Sequence, residues 1–237
     1  MANVVKSLLE KASIVFLGTV RAGALKPSEA SSLSIAEKAG LVRIDAALEA
    51  PAVLGNVKGV DVIVLWREGE PKVGAKAIFL TNAASYGERL TLTEIGRIAS
   101  KDQKAVEAAI EERRQRPLRT RVAEAELIVV GVVEEVRPPE NPPASFDDPL
   151  WATALIRAES TIKGRVSHDR VKVLFASSID VRWYASPKLH PGQQGVFLIR
   201  RGESEEAPGD AYTVLGPLDV QPRSAVLQFE KWLAAAN

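Results

Sequence analysis

Two histidines, His168 and His190, are the only side chains in this 237-residue sequence that ordinarily titrate near neutral pH. A general base would most simply be one of them. His168 precedes Asp169 in what reads as a turn before a strand, and His190 precedes Pro191-Gly192; turn histidines of this kind are ordinarily solvated side chains. Cysteine is absent, which removes thiolate nucleophiles, thiolate metal sites and disulfides together. Asp147 and Asp148, with Glu140 and Asn141 nearby, offer oxygens of the kind that hold calcium, but their spacing matches no calcium loop and a solvated acidic loop accounts for them. No P-loop, dinucleotide glycine fingerprint, nucleophile elbow or zinc helix occurs. The expectation is therefore a protein with no catalytic residue, no metal and no cofactor. An enzyme of unknown class, assembled from residues distant in sequence, is the third reading.

Two constellations fit binding better than catalysis. Val181-Arg182-Trp183-Tyr184-Ala185-Ser186-Pro187-Lys188 combines Arg, Trp and Tyr, the usual composition of an interface anchor, and Phe146 and Trp151 flank another long loop. The terminal helix expected over residues 223–235 adds Phe229 and Trp232. Together these are the candidate protein-binding residues, and packing of the same aromatics onto their own domain is the competing explanation. The second constellation is the basic run Arg113, Arg114, Arg116, Arg119 and Arg121. A single-stranded nucleic-acid groove needs cationic walls with aromatic platforms. The platforms are scarce at 5% aromatic residues, and Glu107, Glu111, Glu112, Glu124 and Glu126 can neutralise the run. A protein partner or larger assembly is thus the first reading, and nucleic acid the alternative.

The elements that must position these residues occur twice. Ala12–Val20 reads Ala-Ser-Ile-Val-Phe-Leu-Gly-Thr-Val and Ala125–Val133 reads Ala-Glu-Leu-Ile-Val-Val-Gly-Val-Val, so Gly18 falls on Gly131. In the same order follow Lys58-Gly59 and Lys163-Gly164, the strands 61–66 and 170–175, the turns at Gly74 and Gly192, and the strands ending Ile78-Phe79-Leu80 and Val196-Phe197-Leu198. A repeat at half the chain length means two copies of one domain. The tails match as Lys104-Ala105-Val106 onto Ser224-Ala225-Val226. Pro117 should end the helix that begins near Asp102, leaving 119–126 as a second lead-in helix equivalent to 4–11. The expected domains are 1–116 and 117–237. Each reads as a five-stranded barrel closed by a C-terminal helix, a mainly β protein, with Gly18 and Gly131 marking strand bulges and Phe79 and Phe197 as buried equivalents.

Five short strands with a bulged first strand and these glycine turns resemble the OB-fold. More narrowly, the Gly-X-Val strand, the Lys-Gly turn and the Pro-Gly-x-x-Gly-Val-Phe-Leu strand resemble the netrin-like, or TIMP-like, branch. The protease-inhibiting members of that branch use an N-terminal cysteine to ligand the protease metal; this chain has none, so the resemblance implies the fold without that activity.

Thirty-one Lys and Arg against 30 Asp and Glu leave a net charge of +1, so no global field attracts a polyanion or an acidic membrane. No stretch approaches the roughly 20 uncharged apolar residues that span a bilayer, and charges interrupt the N-terminal segment where a signal peptide needs an apolar core. These features point to a cytoplasmic protein that does not bind a membrane.

Overall fold

The computed structural model describes residues 2–25, 38–86, 89–140, 142, 145–202 and 211–236. Asn141 and residues 26–37, between the first two strands, lie outside the described residues. The chain divides into two compact units, Met1–Arg114 and Gln115–Asn237, two residues ahead of the boundary expected at 116/117.

In the first unit α1 (Ala2–Leu9) leads into β1 (Ile14–Ala22), β2 (Ala39–Glu49), β3 (Asp61–Leu65), β4 (Lys76–Tyr86) and β5 (Leu90–Ala99). The strands close in the order β1–β2–β3–β5–β4, with β4 back on β1 and one parallel pair, β3–β5. The second unit repeats the order with β6 (Leu127–Arg137), β7 (Trp151–Lys163), β8 (Arg170–Ala176), β10 (Tyr212–Thr213) and β9 (Gln194–Arg201), and again one parallel pair, β8–β10. Its fifth strand is broken: β11 (Val220–Gln221) resumes the pairing with β9 after a turn. Both are closed, OB-like five-stranded barrels, each followed by a helix, α2 (Gln103–Glu124) and α3 (Val226–Ala234).

The glycine bulges fall where the sequence places them. Pairing of β1 with β2 slips at Val15/Phe16, Leu17/Gly18 and Val20/Ala22; pairing of β6 with β7 slips at Ile128/Val129, Val130/Gly131 and Val133/Glu135, the same three places. A side chain at Gly131 would run into the carbonyl oxygen of Arg157, and one at Gly18 would lie 2.7 Å from Val42 Cγ1. Gly74 and Gly192 both have φ near 80° and donate to Val20 O and Val133 O at 2.9 and 2.8 Å. Phe79 and Phe197 are fully buried, each in its barrel's core.

Two landmarks shift. Gly59 stands just before β3 and donates to Ile44 O, whereas Gly164 follows the end of β7, five residues ahead of the Asp169 carbonyl that holds the matching Ala158 N–H. The two Lys-Gly pairs are therefore not equivalent; the loops 50–60 and 164–169 differ in length, and a dipeptide match cannot sense that. The tails shift as well. Phe79 pairs with Arg97 and Phe197 with Val220, and the 3-10 turns Ser100–Asp102 and Arg223–Ala225 start three residues later in both copies. That register puts Val106 on Phe229 and Arg113 on Ala236.

Outside each barrel a second apolar cluster recurs. Val5, Leu9 and Ala12 pack with Val15, Leu17, Ile78, Leu80, Val106 and Ile110; Leu118, Val122 and Ala125 pack with Ile128, Val130, Val196, Leu198 and Phe229. The second lead-in helix is thus the C-terminal part of α2, which runs through Pro117. An interior proline costs about 3 kcal/mol through the missing N–H and a clash with the preceding turn. Burial of Val106 and Ile110 before it and of Val122 and Ala125 after it outweighs that cost.

Candidate functional site

Loops 145–150 and 177–189 of the second barrel form one tied unit. Trp183 Nε1 donates to Asp147 O at 3.0 Å, Ser178 N to Pro149 O at 3.1 Å, and Ser177 sends both its N–H and its hydroxyl to Leu150 O at 3.2 and 2.6 Å. Trp151 and Trp183 meet edge to face with centroids 6.1 Å apart. Lys188 Nζ donates to the carbonyls of Ala176, Ser178 and Trp183 at 2.6, 2.6 and 3.0 Å. Burial pushes this ammonium's pKa down, yet each of its three N–H groups meets an acceptor, so the charged form ties the loop. Leu150 has φ of 51°, the one non-glycine residue at positive φ among the described residues. This strain of about 1–2 kcal/mol is held by the Ser177 bonds and by Leu150 N on Asp148 Oδ1.

The anchors expected from sequence separate on this framework. Trp183 is buried, and Arg182 lies over its ring at 5.3 Å. Trp151 is half-buried. Trp183 is thus a packing group, and the exposed part of the expected contact surface is Arg182, Tyr184 and Phe146, the last two 79% and 89% exposed. Ile179 and Val181, at 87% and 92%, join them, two residues that sequence reasoning passed over because single aliphatics in a loop give no periodic signal. Beside them the barrel mouth holds a cleft of about 420 Å³ lined by Val136, Pro138, Ala152, Phe175, Lys188 and Leu189. Barrel mouths with mostly apolar walls are common ligand positions. Phe229 is fully buried and stacks on Trp232 at 5.7 Å, so Phe229 belongs to its own domain's core.

The basic run divides too. Arg113 donates to Leu9 O and pairs with Glu49; Arg121 pairs with the buried Asp219, which also accepts from Leu215 N and Gly216 N at 2.9 and 2.7 Å. Arg114 meets Glu111 at 3.2 Å. The ion pair with Glu49 turns Arg113 inward. Arg116 and Arg119 are exposed.

His168 and His190 are both exposed. Among the described residues no group of three or more His, Asp or Glu is placed to hold a metal ion, and no helix is long and apolar enough to cross a membrane. No protein-family model matches the chain, and no curated protein matches it.

Proposed function

We propose that this protein is a non-catalytic binding module, a duplicated OB-like barrel that holds a protein partner or joins a larger assembly through the second barrel. The observation that carries the reading is the grouping of Phe146, Ile179, Val181 and Tyr184, all strongly exposed, on loops held by buried tryptophan and by Lys188. Exposed apolar side chains scattered singly are ordinary; several large ones on a preordered loop pair are a recognition surface, because little conformational entropy is lost on contact. Assignment of both barrels to the netrin-like branch belongs to the same proposal and rests on the Gly18 and Gly131 bulges and the Gly74 and Gly192 turns. Nucleic acid is the weaker reading, since Arg113 and Arg121 are engaged with internal carboxylates. Photo-crosslinking side chains placed at positions 146 and 184 in the native host should give discrete protein adducts, and one at the equally exposed Val53 of the first barrel should not. Equal labelling from all three positions, or adducts to nucleic acid alone, would overturn the reading.

A further inference from the structure

The lead-in helix, the closing helix and the end of the second strand meet once in each unit, and the two meetings carry different charges. In the first unit Arg113 fills the junction, donating to Leu9 O and pairing with Glu49, while Lys6 meets Glu112 at 2.9 Å. Each of these two cations has its carboxylate. Strand register puts Lys163 at the place of Glu49, since Val15 pairs with Glu49 and the matching Ile128 pairs with Lys163. The helices put Arg119 at Lys6, Ala235 at Glu112 and Ala236 at Arg113. Both acids and the filling arginine are therefore gone from the second unit; Arg119 keeps the charge of Lys6, and Lys163 stands where an acid was.

What is left there is a groove of about 480 Å³, with Val122, Ile162, Trp232 and Leu233 as apolar walls, Arg119 and Lys163 as the charged ones, and Ala236 where the arginine would fill it. Among the described residues no carboxylate lines it. The acids at the end of α2 are engaged elsewhere: Glu124 with Arg121 and Arg200, Glu126 with Arg201. Lys163 Nζ donates to Ala123 O at 2.7 Å and Val122 O at 3.3 Å, which fixes the ammonium at the helix end and leaves one N–H. Arg119 is one helical turn back, on the face of Val122 and Ala123.

We propose that this groove binds a small amphiphilic carboxylic acid, whose carboxylate meets Arg119 as Glu112 meets Lys6 in the first unit, with Lys163 as its second cation, and whose apolar body lies on Trp232, Val122 and Ile162. The volume is that of a whole small ligand rather than of one inserted side chain. A charge-assisted bond to guanidinium and ammonium beside an apolar wall distinguishes the acid from its alcohol. This site is independent of the loop surface proposed above.

Sodium decanoate, decanol and the intrinsic tryptophan emission test it on the full chain. Decanoate should give a saturable change with a Kd below about 1 mM, and decanol should bind at least about tenfold more weakly. Arg119→Gln should erase that difference, and Trp232→Phe should remove the optical signal while calorimetry still records binding. Lys163→Glu/Ala236→Arg, which rebuilds the pair of the first unit, should abolish binding without lowering Tm. The proposal fails if decanoate does not saturate, if decanol binds equally well, if the signal survives Trp232→Phe, or if the rebuilt pair still binds. Binding of an acidic peptide in place of decanoate would overturn it as well.

Discussion

Where the first barrel packs Leu8 over Gly96, the second pairs Arg121 with Asp219. The places are equivalent: Leu8 and Arg121 are the same turn of the lead-in helix, and Gly96 and Asp219 both directly precede the residue opposite the core phenylalanine, Arg97 or Val220. A methyl at Gly96 would lie 3.0 Å from Leu8 Cδ2, so the first copy closes the contact with apolar atoms. The second closes it with a buried carboxylate whose remaining lone pairs take two backbone N–H groups at the break in its fifth strand. Burying such a pair roughly cancels desolvation against attraction. One duplicated backbone thus accepts either solution, and the polar one serves to terminate the strand rather than to add stability.

The same divergence appears on the outer faces. Leu25 covers Ala39 and Ile63 in the first barrel; the corresponding Thr153 and Lys172 of the second line a small open hollow of about 90 Å³. The connection 177–193 is far longer than its counterpart 66–75, and it carries the exposed apolar group. At the face of Ala39 and Ile63 the first copy covers its strands with its own chain, and the second leaves the equivalent face open.

The strongest check on the equivalence is in the cores. Phe79→Ala and Phe197→Ala should each cost about 3–5 kcal/mol, read as loss of the mutated barrel's own denaturant transition. A cost in only one would break the symmetry. Asp219→Ala should cost roughly 3 kcal/mol by leaving Arg121 uncompensated, whereas Arg121→Leu/Asp219→Gly, which installs the first barrel's pair, should recover most of it; a double variant no better than the single would show that the two places are not interchangeable. Gly131→Ala should cost about 1–3 kcal/mol, more than Gly18→Ala, because its methyl runs into the Arg157 carbonyl oxygen, whereas the equivalent Arg43 oxygen lies 3.0 Å from a methyl at Gly18, whose nearest atoms belong to side chains. Equal melting temperatures would contradict that ordering. At the small end, Tyr184→Ser and Phe146→Ser should change stability by no more than about 0.5 kcal/mol, against roughly 2 kcal/mol for Trp183→Ala, a contrast that thermal denaturation of the three variants measures directly.

The amino-acid sequence by itself determined the duplication, the bulge glycines, the glycine turns and the buried phenylalanines. Each of these is local: alternation sets a strand's buried face, and a glycine marks a place where a Cβ does not fit or φ is positive. Tertiary structure alone decided the rest. Pro117 lies inside a helix because apolar contacts on either side of it outweigh its propensity. Trp183 is buried and its neighbour Tyr184 exposed because a bond to Asp147 O, 36 residues away, orients an irregular loop that has no period to read. Arg113 and Arg121 look like a basic run until Glu49 and Asp219, 64 and 98 residues distant, reach them. A charge becomes a structural group or a binding group according to which partner the fold brings within bonding distance, and neighbours along the chain do not specify that partner.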